Sequence, residues 1–276
     1  MTSNSIREGQ TGYVQAPELD GPIILDLPSP TADLQQGFDD LNSHGCCILL
    51  DALNASAVDE LRQHLDQQYA AEQALGALCP DRGNSNKQVL PNMVNKGAHF
   101  LDLIENATTE AIANYLLGKN WLLSSLTAHL FIGPTTKTEL IHRDQGQIPA
   151  SIEFPALCNL FYLLDDFTPQ RGSTVVFPGS HRWPLKYRVH PPNPELGQQI
   201  DAPAGSLFVF DGRLWHGTGA NLEGHARRAI SVFCCSPWVR QQENACVSTA
   251  RDVFEQASPR LRARLGLRTY GTLGNI

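Results

Sequence analysis

Between Trp121 and Trp238 the chain carries six short apolar runs, each closed by Gly, Pro or Asp: WLLSSLTAHLFIG (121–133), TELIHRD (138–144), ALCNLFYLLDD (156–166), STVVFPGS (173–180), GSLFVFDG (205–212) and RAISVFCCSPW (228–238). Many short strands at such spacing predict a sandwich or barrel. Strands do not alternate with helices here, which argues against a doubly wound parallel sheet. Upstream the period changes. Val58, Leu61, Leu65 and Tyr69 recur at helical spacing from Ala55 to Tyr69, behind the cap candidates Asn54 and Ser56. A second helix is expected from Thr108 to Leu117, with Ile112, Tyr115 and Leu116 on one face and Gly118 as its stop. The stretch between, CPDRGNSNKQVLPNMVNKG (79–97), is full of turn formers and reads as a loop. RDVFEQASPRLRARLG, after residue 247, fits one or two short amphipathic helices. Residues 1–33 are rich in Pro, Gly, Asp and Ser and read as an extended arm, packed on the domain or on a partner subunit. The expectation is one domain over 34–276: a helical layer (about 34–120), an antiparallel double-sheet core (about 121–240) and a helical tail (about 247–276).

Composition narrows the class. The 276 residues are 42% hydrophobic and only 18% charged, which excludes disorder as the main state. A net charge of -7 disfavours nucleic acid and anionic membranes as partners, because phosphate attraction needs clustered Lys and Arg. No apolar run approaches membrane-spanning length. The opening MTSNSIREGQTGYVQ lacks a basic segment followed by an apolar one, so a cytoplasmic location is expected. The seven cysteines are odd in number, include two adjacent pairs and form no CxxC. Strand neighbours point to opposite faces, so buried free thiols are expected, not disulfides or a zinc ribbon.

Nine histidines are present, and most need no special role. His44, His64 and His225 sit in polar or helical surroundings and read as surface residues. His129 alternates with apolar neighbours and reads as a core or pocket residue. His142 and Asp144 lie two apart on a strand-like run, so both project from one face. His216 follows another strand. Two His and one carboxylate can occupy one face of an octahedron and leave three positions open, the arrangement of non-haem Fe(II) oxygenases. His-x-Asp alone is weak, and a surface pair is its plain alternative.

Taken together, four segments make the sequence resemble the phytanoyl-CoA dioxygenase family of Fe(II)- and 2-oxoglutarate-dependent oxygenases. They are SSLTAHLFIGP…ELIHRDQ (124–145), LLDDFTPQRGSTVVFPGSHRWP (163–184), GSLFVFDGRLWHGTGAN (205–221) and ARRAISVFCCSPWVRQQEN (226–244). HGCCILLDALNASAVDELRQHL (44–65) also fits the family's N-terminal strand and helix. The resemblance implies a mainly β fold with flanking helices: a double-stranded β-helix, the cupin-like jelly-roll. It implies Fe(II) on His142, Asp144 and His216, and 2-oxoglutarate and O2 as cosubstrates. Arg227, eleven residues past His216, would bind the far carboxylate of 2-oxoglutarate, with Thr218 as hydroxyl donor. Thr174 matches a position that can contact the cosubstrate, with an ordinary strand threonine as its alternative, and Asn159 is a candidate cofactor-pocket amide, with a structural hydrogen bond as its alternative. His181 of the PGSH segment is read as structural. Glu139 departs from the family, where many relatives have Gln; a carboxylate there would repel a dicarboxylate unless protonated or turned away.

The implied reaction is oxidation of an unactivated C–H bond of a small molecule, by hydroxylation, desaturation or rearrangement, with release of succinate and CO2. The FDGRLWHGTGAN and WVRQQEN segments look more like natural-product tailoring members than fatty acyl-CoA hydroxylases, and CoA would favour a basic surface. Asn92, Met93 and Phe100 from the loop region, with Arg143 and Trp238 near the barrel mouth, are the candidate substrate residues. Other readings are a jelly-roll metalloenzyme that is not an oxygenase, such as an isomerase, and a binding protein whose metal is structural. A homodimer is possible through the arm and tail.

Overall fold

The structure, a computed structural model, describes residues 11–82 and 84–274. Its elements run in the order α1 (Leu34–His44), β1 (Cys46–Leu49), α2 (Ala55–Ala74), β2 (Cys79–Asp81), β3 (Asn84–Leu90), α3 (Ala98–Glu105), α4 (Ala107–Leu117), β4 (Leu122–Phe131), β5 (Glu139–His142), β6 (Leu157–Leu163), β7 (Thr174–Val176), β8 (Gln198–Gln199), β9 (Leu207–Asp211), β10 (His216–Thr218), β11 (Arg227–Cys235), α5 (Ala245–Ser248), α6 (Arg251–Gln256) and α7 (Pro259–Arg264). The strands form a seven-stranded sheet, β1-β9-β6-β11-β4-β3-β2, and a four-stranded sheet, β5-β10-β7-β8. Every pairing between these strands is antiparallel. This is the jelly-roll that the apolar runs predict.

Alternation along the large sheet divides the protein into two interiors. Cys158, Leu160 and Tyr162 of β6 and Ile230, Val232 and Cys234 of β11 face the helices, joining Leu61, Leu65, Phe100, Ile112 and Leu116 in the larger core. Leu163, Phe208, Phe210 and Ala229, on the other face, pack toward the small sheet with Val176 and Ile200. Cys47 belongs to the first core and its neighbour Cys46 to the second. All seven cysteines are free.

Helix ends follow the expected chemistry. Asn54 accepts a hydrogen bond from the Ala57 amide at the start of α2, and Asn106 accepts from Thr108 at the start of α4, which Gly118 ends with φ 82°. The 79–97 stretch is a correction. It holds β2 and β3, with β3 paired to β4 from Lys87↔Phe131 to Leu90↔Ala128. A polar, turn-rich segment carries no strand signal of its own; the open edge of β4 supplies the partner that makes it one.

Residues 11–31 lie as a strap along the domain. Tyr13 N–H donates to Tyr115 O, Leu19 N–H to Arg182 O, Leu25 N–H to Pro178 O, and Thr31 bridges Leu49. The strap also reaches the buried pair Asp211–Arg213, where Arg213 Nη2 lies 2.6 Å from Asp211 Oδ2. The same guanidinium donates to the Tyr13 hydroxyl at 2.9 Å, the Gln15 side-chain oxygen at 3.1 Å and Glu153 O. Both charged side chains are almost wholly buried, 1% and 0% exposed. Arg213→Met strands the Asp211 carboxylate in the interior, and a denaturant melt is expected to show a loss of about 3–5 kcal/mol.

Candidate metal centre and cosubstrate pocket

β5 and β10 are short neighbouring strands of the small sheet, and His216 stands directly opposite His142. One extra residue on β5 makes a bulge, and Leu140 there takes φ 31°. Gly217 lies against it: a Cβ would meet Glu139 O at 2.8 Å and Leu140 O at 2.9 Å, so only glycine lets the strands approach this closely. The bulge aims a carbonyl at the metal ligand. His142 Nδ1 donates to Leu140 O at 3.1 Å, and His216 Nδ1 donates to Leu214 O at 3.0 Å. Each ring spends its Nδ1 proton on the carbonyl two residues back, which leaves the Nε2 lone pair free to bind metal.

Both Nε2 atoms point at Asp144 Oδ1, at 3.4 Å from His142 and 3.6 Å from His216. Three donors about 2.1 Å from one ion at right angles would stand about 3.0 Å apart, so the two contacts to Asp144 need only a slight contraction, and all three donors lie within 4.8 Å of one another. Burial raises the Asp144 pKa, but His216 and His142 outweigh it and hold the carboxyl below its usual range. Burial pushes His216 down to about 4 against the pull of Asp144, which keeps that imidazole neutral and ready to ligate. His142 is the exposed edge of the site; burial there is outweighed by Asp144, and its pKa is raised. Two imidazoles and one carboxylate fit Fe(II) with an open face.

Asn159 does not face the cosubstrate end. Its amide Nδ2 donates to Asp144 Oδ2 at 3.2 Å, and its Oδ1 accepts from the Ser231 hydroxyl at 2.6 Å. It therefore fixes which carboxylate oxygen is left for the metal.

Thr218 ends β10 beside Thr174 of β7, which it pairs in register. Arg227 opens β11, is 4% exposed, and donates to Gly172 O. The rings of Phe131 and Phe167 flank its guanidinium at 4.4 and 4.3 Å, and Nε is buried with no hydrogen-bond acceptor. Burial drives its pKa down to about 9, with Asp165 opposing. A buried cation with no carboxylate against it fits an anionic ligand, as the far carboxylate of 2-oxoglutarate requires.

Sequence reasoning missed Lys87. From β3 its Nζ donates to Thr218 Oγ1 at 3.0 Å, pairs with Asp81 and lies 3.6 Å from Glu139 Oε2. Glu139 Oε1 also accepts from Asn84 at 2.8 Å. The carboxylate that replaces the family's Gln is thus neither isolated nor turned away; it is answered by a lysine from the segment read as a loop.

The substrate candidates scatter. Met93 and Phe100 are fully buried in the core between the large sheet and the helices, so neither reaches the inter-sheet pocket. Asn92 takes φ 53° and donates its backbone N–H to Glu243 at 2.6 Å, a turn role. Arg143 alternates away from His142 and Asp144 and lies over the Trp215 ring at 5.2 Å. Trp238 is exposed, edge-on to Phe154 at 6.2 Å in a surface cleft, and Gln145 ties Phe154 O and the Ala156 amide to the segment carrying Asp144. What does line the inner face is an aromatic series: Phe210 stands 4.4 Å from the His216 ring, Phe161 5.8 Å from Phe210, and His129 5.3 Å from Phe161. Burial, then Lys87, lowers the His129 pKa to about 4, so this ring is a neutral polar group.

Removing the Asn159 amide frees the Asp144 carboxylate to rotate. Asn159→Ala is expected to weaken iron binding about 10- to 100-fold in an anaerobic Fe(II) titration without cosubstrate.

Comparison with known proteins agrees with this geometry. Residues 41–229 match the family model described as phytanoyl-CoA dioxygenase (PhyH). Dioxygenase af480 of Aspergillus fumigatus is 27% identical, over 94% of this chain and 84% of its own. Dioxygenase olcK of Penicillium canescens is 26% identical, over 94% and 88%. Among solved structures, the non-haem alpha-ketoglutarate-dependent epimerase SnoN from nogalamycin biosynthesis superposes with a TM-score of 0.60 at 19% identity, covering 74% of this chain and 81% of its own. EctD from S. alaskensis with bound Fe gives a TM-score of 0.60 at 18% identity, covering 83% of each chain. HygX from Streptomyces hygroscopicus, with nickel and 2-oxoglutarate bound, gives 0.57 at 13%, covering 75% and 89%. The chain belongs to the phytanoyl-CoA dioxygenase family of non-haem iron, 2-oxoglutarate-dependent dioxygenases.

Proposed function

We propose that this protein oxidises an unactivated C–H bond of a small, largely apolar molecule in secondary metabolism. The reading is carried by Arg227, a buried guanidinium with no salt-bridge partner among the described residues, which opens β11 beside the Phe131 and Phe167 rings while Thr218, two residues past His216, ends β10. When bound, iron and 2-oxoglutarate supply the oxidation with O2, leaving succinate and CO2. The protein's own residues orient and exclude. Arg227 and Thr218, with Thr174 beside them, hold the far carboxylate of the cosubstrate, and Lys87 offsets Asp81 and Glu139 so that this end of the pocket accepts an anion. Asn159 keeps Asp144 aligned. Phe161 and Phe210 keep water from the inner face, and the neutral His129 offers one hydrogen-bonding position to a substrate hydroxyl or carbonyl. Trp238 and Phe154 form a rim tied to the metal segment through Gln145.

The fungal dioxygenase relatives and the tailoring enzymes among the structural neighbours support a natural-product substrate. The acidic charge of -7 gives the phosphates of an acyl-CoA little to bind. An epimerase shares the fold, so the outcome at the substrate carbon follows from how the substrate is held, and hydroxylation is the default.

The test needs no substrate. Metal-stripped protein given Fe(II) and 2-oxoglutarate without oxygen is expected to show a visible metal-to-ligand charge-transfer band. His216→Ala abolishes it, and Arg227→Ala raises the 2-oxoglutarate needed by at least about thirtyfold, the loss of one buried charge-assisted contact. No band in the intact, iron-loaded protein would overturn the oxygenase reading. Lys87→Met is expected to weaken 2-oxoglutarate binding by about tenfold. Adding Glu139→Gln should restore part of that loss, because it removes one of the charges the lysine offsets.

A further inference from the structure

A second cluster of metal donors lies on the helical layer, on the far side of the large sheet from the iron triad. Glu60 and His64 stand four residues apart on α2, which places both on one helix face. His99, in the first turn of α3, meets them: its Nδ1 is 3.0 Å from Glu60 Oε1, and its ring stacks on His64 with centroids 3.9 Å apart. One donor atom from each of the three lies within 4.8 Å of the others, the same convergence as in His142, Asp144 and His216. Among the described residues these are the two such groups.

The cluster is built on fixed backbone. Each donor is followed by a core residue: Leu61 after Glu60, Leu65 after His64 and Phe100 after His99, exposed by 4%, 0% and 0%. A part-buried ion pair at 2.5 Å, Lys96 to Glu72, joins the chain before α3 to the far part of α2. The two helix surfaces are therefore held together without the cluster, and the backbone positions of the three donors are fixed, while the stacked rings, 19° from parallel, must turn to aim their in-plane lone pairs at one ion. Glu60 is exposed and both histidines are half-buried, so a water can complete a tetrahedron.

We propose that Glu60, His64 and His99 bind a divalent transition-metal ion, zinc by preference, as a clamp between α2 and α3. Two neutral imidazoles and one carboxylate are a ligand set that Zn²⁺ accepts with water as the fourth ligand. The site is separate from the iron centre, because α2 packs on the face of the large sheet opposite the one that faces β5 and β10.

The experiment isolates the second site by silencing the first. Metal-stripped full-length His216→Ala protein is titrated with ZnCl2 by calorimetry and equilibrium dialysis, beside the same protein carrying His99→Ala or Glu60→Gln. The expected result is one bound zinc in His216→Ala, two in wild type, and loss of that zinc with either added substitution. The zinc-dependent rise in Tm disappears with it, while the metal-free Tm of all three variants stays the same. No zinc bound by His216→Ala overturns the proposal and leaves the pair as stacked imidazoles beside a carboxylate. One zinc that survives both added substitutions also overturns it, and places the metal on other donors such as the exposed thiols of Cys79 and Cys246.

Discussion

Asp144 is the constraint from which the rest of the site follows. A largely buried carboxylate in the turn after β5 must be balanced, and here both imidazoles point their Nε2 atoms at one of its oxygens while an amide takes the other. That convergence needs His142 and His216 directly across from one another, which needs the bulge at Leu140 and the absence of a side chain at Gly217. The carbonyls of Leu140 and Leu214 then set the tautomers. Strand register, a backbone irregularity and proton placement are here one problem with one solution.

The cosubstrate end is organised by a charge imbalance. Asp81 and Glu139 face Lys87, and Asp165 is shared with Arg228 and Arg62, so Arg227 is a buried cation that forms no salt bridge among the described residues; it donates to a carbonyl and lies between two aromatic faces. Keeping such a group is costly in isolation. The aromatic faces offset part of that cost, and an arriving dicarboxylate removes the rest.

The strands of the core were legible because their apolar periodicity is internal to each run, and the metal triad because two of its members lie two residues apart; only His142 is on β5, however, and Asp144 opens the 3-10 turn that follows it. The surroundings of Thr218 and Arg227 were legible only in part. Arg227 and Thr218 follow from likeness to a family, but Lys87 lies in a stretch with no strand signal, and its partners Thr218 and Glu139 are distant in sequence. The puzzle set by Glu139 had the same source: a charge reads as a repulsion until its counter-charge is placed. Met93 and Phe100 were misplaced because an apolar residue in a polar stretch looks like a pocket wall, while the fold turns it into the core behind the sheet.

The large sheet keeps its two tasks on separate faces. The face toward the helices carries the continuous core that stabilises the fold, and only alternation separates it from the face that holds Asn159, Ser231, Phe161 and Arg227. A substitution at Leu160 or Val232 therefore acts on stability, whereas one at Asn159 or Ser231, a single residue away, acts on the alignment of Asp144. Such a division lets the inner face accept half-buried polar groups, among them His129, that a core of this size could not tolerate if both faces were needed to hold it together.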